Sequence, residues 1–182
     1  MLFRSKPLRA RAEDLIRASG LDWTILRPTM IYGTPEDRNI ARLIRFVDRC
    51  PVVPLPARQA LQQPIHVDDV AGAVAAVLDT PATVRRVYNI SGAAPLTLEA
   101  LVREVAEALG RRRLLLPIPL APIVGLLTLW QRLGQPPLKA EQMARVAEHK
   151  NFDYAEAARD FGYAPRDFRT GVQAEVAMMR LP

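Results

Sequence analysis

At 182 residues, with 49% hydrophobic and 24% charged side chains, the chain is long enough to bury a core and too apolar to be disordered. The single cysteine, Cys50, excludes an intramolecular disulfide, and with only two histidines no metal site is expected. The net charge of +6 raises nucleic acid as a partner, but most of the arginines are scattered among acids and only Arg111, Arg112 and Arg113 form a run. With no recognised nucleic-acid motif, no nucleic-acid partner is expected, and a basic pocket for a phosphorylated small molecule fits the charge as well. A reducing compartment, the cytoplasm, is the default for one cysteine. The opening M-L-F-R-S-K-P-L-R has no continuous apolar core behind its charges and does not read as a secretory signal.

Residues 8–19 have helical spacing, with Leu8, Ala12, Leu15, Ile16 and Ser19 on one face, and Gly20 suits the left-handed position that ends a helix. Trp23, Thr24, Ile25 and Leu26 follow as a short run of β-formers, which predicts a strand buried on both faces in a parallel sheet. Ligands of open parallel sheets bind beyond the carboxyl ends of the strands, where Arg27, Pro28, Thr29 and Met30 stand. Pro28 fixes its own φ and biases Arg27 toward an extended conformation, and Tyr32-Gly33-Thr34-Pro35 turns the chain.

Thr34 and Pro35 suit a helix start, with Ile40, Leu43, Ile44 and Val47 as the apolar face. Val52-Val53-Pro54-Leu55-Pro56 reads as an edge strand, because proline cannot donate to a ladder. In Gln63-Pro64-Ile65-His66-Val67-Asp68-Asp69-Val70-Ala71, a short strand leads into a helix with two acids at its start and Val70, Ala73, Val74 and Val77 facing a sheet. His66 is read as a structural histidine near a pocket, with ligation as the alternative. Val87 to Ile90 is a further strand. Thr97 caps a helix whose apolar face is Leu98, Leu101, Val102, Val105 and Leu109. Prolines 117, 119 and 122 interrupt the most hydrophobic portion, residues 114–130, leaving a helix too short to span a bilayer but open to peripheral membrane or partner contact. Residues 139–150 read as another amphipathic helix. Asp153 caps a helix over residues 154–160 that closes at Gly162, and Thr170-Gly171-Val172 opens the last helix.

Three segments carry a resemblance: A-E-D-L-I-R-A-S-G with L-D-W-T-I-L-R-P and I-Y-G; P-I-H-V-D-D-V-A; and the ending Phe161-Gly162-Tyr163-Ala164-Pro165 followed by Thr170-Gly171. Together they resemble extended or atypical short-chain dehydrogenase/reductases of the NAD(P)-binding, epimerase/dehydratase type, from about Leu8 onward. The resemblance implies an α/β fold: the C-terminal portion of a Rossmann-like parallel sheet plus a small, mostly helical substrate subdomain, as one domain over residues 1–182. It implies NAD or NADP as cofactor and a sugar nucleotide or similar small molecule as substrate. It places Arg27, Pro28, Thr29 and Met30 beside the nicotinamide end of the cofactor, and Asn39 and His66 on the substrate side. The family's catalytic Tyr and Lys positions fall on Ser5 and Arg9, with Glu13 matching a family glutamate, so no catalytic residue is assigned. The chain has nine glycines and no G-x-x-G-x-x-G, so the Gly-rich phosphate turn of the family's N-terminal half is absent from it. The expectation is an incomplete, truncated or split epimerase or oxidoreductase, inactive as this chain alone. The alternative is a non-catalytic NAD(P)-binding or assembly subunit. Either way, self-association or a partner supplying the missing half is expected.

Overall fold

The run T-I-L-R-P forms β1 (Thr24–Pro28), two residues longer at its end than the periodicity suggests because Arg27 and Pro28 still pair with a neighbour. That neighbour is β6 (Arg86–Ile90), which runs parallel to β1 with Ile25 opposite Val87 and Leu26 opposite Tyr88, so the two apolar runs share a sheet. The computed structural model describes residues 5–56, 60–119 and 150–179. Within them the order is α1 (Ser5–Ala18), β1, β2 (Ile31–Tyr32), α2 (Ile40–Arg49), β3 (Val52–Pro56), β4 (Leu61–Gln62), β5 (Ile65–His66), α3 (Val67–Leu78), a 3-10 turn (Pro81–Thr83), β6, β7 (Leu96–Thr97), α4 (Leu98–Ala108), β8 (Leu114–Ile118), α5 (Ala155–Phe161) and α6 (Phe168–Met179). Strands β1 and β6, β2 and β5, and β3 and β8 pair in parallel, whereas β4 and β7 are antiparallel. This is the expected α/β architecture of parallel strands joined by helical crossovers.

Two apolar cores hold it. In the larger, Ile40, Ile44 and Val47 of α2 meet Val53 and Leu55 of β3, Leu101, Val102 and Val105 of α4, and Val172 and Val176 of α6, with Tyr32 and Phe168 at one end. The smaller joins Ile65, Ala73, Tyr88 and Ile90 to Ala157 and Tyr163. Local chemistry sets several helix ends. The Thr97 hydroxyl accepts from the Ala100 amide at 3.1 Å, and the Asp153 carboxylate accepts from Ala155 at 2.9 Å. Such caps contribute about 0.5–2 kcal/mol each.

Several expectations are corrected. Thr34 and Pro35 do not start α2; they form a turn in which Asp37 N–H donates to the Thr34 carbonyl at 3.0 Å. Asp37 is the cap instead, its carboxylate accepting from Asn39, Ile40 and Ala41. Likewise α6 begins at Phe168, with the Asp167 carboxylate accepting from Thr170 at 2.7 Å, two residues ahead of the expected Thr170-Gly171 opening. The proline-broken run at Leu114 is a strand, because β3 offers it a parallel edge. The remainder of that run and the expected helix over residues 139–150, save Lys150, which bridges to Gln62, lie outside the described residues.

The largest correction concerns burial. β1 is only half-buried, and among the described residues it pairs on one edge alone. Leu8, Leu15 and Ile16, the apolar face of α1, are exposed, Leu15 by 67%. On α3, Ala73 is buried, but Val74 is exposed and Leu78 is 80% exposed. Asp22, Thr24, Leu26, Val74, Val77, Leu78 and Val84 therefore line an open groove of about 400 Å³ along β1 and α3.

Candidate functional site

The carboxyl ends of β1 and β6 are tied to the amino ends of β2 and β5 through backbone groups and short side chains. Thr29 N–H donates to the Ile90 carbonyl at 3.1 Å, its hydroxyl donates to the Gln63 carbonyl at 2.5 Å, and Ile65 N–H donates to the Met30 carbonyl at 3.0 Å. Gln63, buried, is the clasp of this region. Its amide donates to the Gly92 carbonyl at 2.7 Å, and its side-chain oxygen accepts from Phe152 N–H at 2.9 Å. The Ser91 hydroxyl donates to the Phe152 carbonyl, and the Tyr163 hydroxyl to the Ser91 carbonyl. The segment returning to α5 is thus fastened to the strand ends. Thr29 is locked into the scaffold, and Met30 packs on the larger core.

Arg27 leaves the strand end toward α1, where its guanidinium donates to the Glu13 carboxylate at 2.9 and 2.5 Å. The hydrogen bond to Arg27 holds the Glu13 carboxyl below its ordinary range and raises Arg27 in return. Arg17 joins the pair through Glu13 at 3.4 Å and stands over the Trp23 ring at 5.9 Å. Arg9, Ala10, Glu13, Asp14, Arg17 and Arg27 line one shallow cleft of about 350 Å³. The structure therefore brings Arg9 and Arg27 to the same cleft. Ser5 begins α1.

His66 is buried at the start of α3. Its Nδ1 accepts from the Asp68 N–H at 3.2 Å, making the imidazole the N-cap of α3 in place of the two aspartates. Burial, and then the nearby Arg166 guanidinium, lower its pKa, so the ring is neutral and free to accept. Tyr32 meets it edge-on, with ring centroids 5.3 Å apart. Gly33, at φ +115°, leaves room that a Cβ would take from His66 Nε2 at 2.5 Å, which is why glycine follows Tyr32. Asp69, expected as a cap, instead accepts from Arg166 Nε at 2.9 Å and from its backbone N–H at 3.2 Å, while Asp68 accepts from the same guanidinium at 3.2 Å. Asn39 is exposed at the start of α2 and makes no side-chain cap. Among the described residues no group of three or more His, Cys, Asp or Glu could hold a metal ion. No described helix is long and apolar enough to cross a membrane.

Gln63, Arg166 and Glu175 escape the sequence reading. Gln63 had a signal in its place just before Pro64 and the short strand, whereas the other two act only through partners far away in the chain.

These parallel strand pairs, with a cleft at their carboxyl ends, define a Rossmann-like fold. Residues 4–81 match the family model described as NAD(P)H-binding. The chain is 29% identical over 118 residues to UDP-glucose 4-epimerase of Vibrio cholerae, covering 63% of this chain and 34% of that protein. It is 26% identical over 163 residues to the mitochondrial NADH-ubiquinone oxidoreductase 40 kDa subunit of Neurospora crassa, covering 87% and 42%. The crystal structure of UDP-glucose 4-epimerase from Thermotoga maritima superposes with a TM-score of 0.66 at 19% identity, over 94% of this chain and 50% of that one. The chain is thus similar to NAD(P)-binding proteins over residues 4–81 and shares the Rossmann-like fold of the epimerase structures over about half of their length. It spans about a third of the V. cholerae relative and half of the T. maritima structure.

Proposed function

We propose that residues 1–182 form one domain that supplies the nicotinamide-end wall and substrate side of an NAD(P)-dependent oxidoreductase or epimerase. Its ligand is a sugar nucleotide or similar small molecule. The observation that carries this reading is the shared cleft of Arg9 and Arg27 at the carboxyl end of β1, beside the fixed Pro28-Thr29 wall. Parallel sheets bind dinucleotides at this end. In this reading Arg27, Pro28, Thr29 and Met30 bound the cofactor, Asn39 faces the substrate, and His66 shapes the wall from beneath as the cap of α3. No catalytic residue is assigned, since Ser5 has no acidity near neutral pH unless a base activates it and Arg9 cannot give up its proton. The single cysteine suits a cytoplasmic setting.

A second reading, an NAD(P)-binding or assembly subunit without catalysis, is favoured by Arg9 and Ser5 in place of the proton-transferring pair. The N. crassa subunit, which aligns with most of this chain, points the same way. In both readings the open β1–α3 groove receives another copy or a partner.

No Gly-rich turn occurs in these residues to cradle a pyrophosphate. Calorimetric titration of the chain with NADH and with NADPH should therefore show dissociation constants of about 1 mM or weaker. Micromolar or tighter binding would show that the cleft and wall suffice, and would remove the need for a completing half.

A further inference from the structure

Helix α6 carries a carboxyl group into the interior. Glu175 is 0% exposed, between Val172 and Val176 of the larger core, and neither of its carboxyl oxygens has a hydrogen-bond partner of good geometry. The turn joining β2 to α2 faces it, with the Gly33 amide and the Asp37 carboxylate, while Arg45 of α2 and the Tyr32 phenol of β2 act on it from further off. On α4, which packs against α6, the Glu104 carboxyl interacts with Arg169, Asp167 and Glu107. Arg45 is engaged elsewhere, donating to the Pro35 carbonyl, and the oxygens of Asp37 already accept from the Asn39, Ile40 and Ala41 amides at 2.5, 2.9 and 2.8 Å. An ionised Glu175 would thus stand desolvated beside a second carboxylate. A neutral Glu175 has a proton to offer, and Asp37 is the acceptor at hand.

We propose that a proton held on Glu175 fastens the turn over residues 33–39 to α6, and that loss of this proton frees the turn and the start of α2. The device goes beyond the functional reading above and depends on no ligand. Burial first, and then Asp37, push Glu175 up to about 8 from an ordinary 4.5, with the Gly33 amide and Arg45 opposing. The folded chain therefore holds a proton that the unfolded chain has released. The stabilisation is complete below pH 4.5, is lost as pH rises toward 8, and changes no further above that. His66 works in the opposite sense: its pKa is lowered on folding, so its contribution is lost only as pH falls. The range above pH 7 therefore separates Glu175 from His66.

Urea melts and amide exchange of the wild type and of Glu175→Gln test this. Glutamine keeps the shape and a donor but does not titrate. The wild-type unfolding constant should rise by up to about tenfold between pH 7 and 8, and that of Glu175→Gln should stay level. After correction for intrinsic exchange, protection of Asn39, Ile40 and Ala41 should fall several-fold from pH 7 to 9 in the wild type and persist in the variant. The same pH dependence in both proteins would overturn the proposal. Should the variant fail to fold, carbon-13 titration of the wild-type glutamate carboxyls decides. A midpoint above pH 7 sustains the proposal, and its absence overturns it.

Discussion

Gly92→Ala should be the most damaging glycine-to-alanine substitution among the described residues, costing more than about 3 kcal/mol. Its Cβ would sit 1.9 Å from the Pro64 carbonyl oxygen, which is backbone and cannot rotate away. Both sides of that contact are clamped. Gln63 donates to the Gly92 carbonyl, Thr29 donates to the Gln63 carbonyl, and Ile65, just beyond Pro64, is in the β2–β5 pair. Relief requires the end of β6 to part from the segment before β5, which breaks the clasp at the strand ends. Gly72→Ala is the control. No atom lies within 4 Å of a Cβ there, and alanine in an exposed helix should stabilise by about 0.5–1 kcal/mol. Urea midpoints of both variants check the contrast, and a loss at position 92 below about 1 kcal/mol would contradict the close approach.

Gly171→Ala should cost about 2–3 kcal/mol, even though alanine is the better helix former by about 1 kcal/mol. The added Cβ would meet the Tyr32 hydroxyl at 2.0 Å and its ring carbon at 2.9 Å, with His66 at 3.1 Å behind them. A tyrosine hydroxyl usually swings aside, but Tyr32 is buried, its ring held between His66 and Phe168 at centroid distances of 5.3 and 5.2 Å. The test is a double-mutant cycle. Tyr32→Phe removes the offending oxygen and loses only a long contact, 3.5 Å, to the Phe168 carbonyl. In its background Gly171→Ala should cost less than half of what it costs in the wild type. Equal costs in both backgrounds would place the strain elsewhere.

The parts of the fold legible in the sequence are those set by neighbours along the chain. Thr97 caps α4, the Asp153 carboxylate accepts from the first amide of α5, and Ile40, Ile44 and Val47 bury on one face of α2, because cap chemistry and helical periodicity are local. Long-range partners are what periodicity cannot report. Leu8, Leu15 and Ile16 share a face of α1 as the spacing says, yet nothing among the described residues covers them. Leu114 to Ile118 carries a proline that discourages a regular assignment, and only the edge of β3 makes it a strand. Asp37 displaces Thr34 as the cap of α2 because its carboxylate reaches three amides at once. At the candidate site, Arg27 stands out in the sequence by its place after the strand, but its pairing with Glu13 fourteen residues earlier does not. His66 stands out in the sequence at a strand-to-helix junction, but its use of Nδ1 to cap α3, which leaves Asp69 to Arg166, belongs to the folded arrangement.

That arrangement leaves one face unfinished: the outer edge of β1, the groove along α3, and the apolar side of α1. A half-buried parallel strand with no second partner among the described residues invites further pairing, and contiguous apolar surface of this kind marks an interaction site. Sedimentation equilibrium of the purified chain over a wide concentration range, with a hydrophobic dye present, tests this most directly. The expected result is a mass that rises with concentration toward the dimer, with dye fluorescence falling as the face is covered. A monomer at every concentration that binds no dye would contradict it, and would show that these 182 residues close a core of their own.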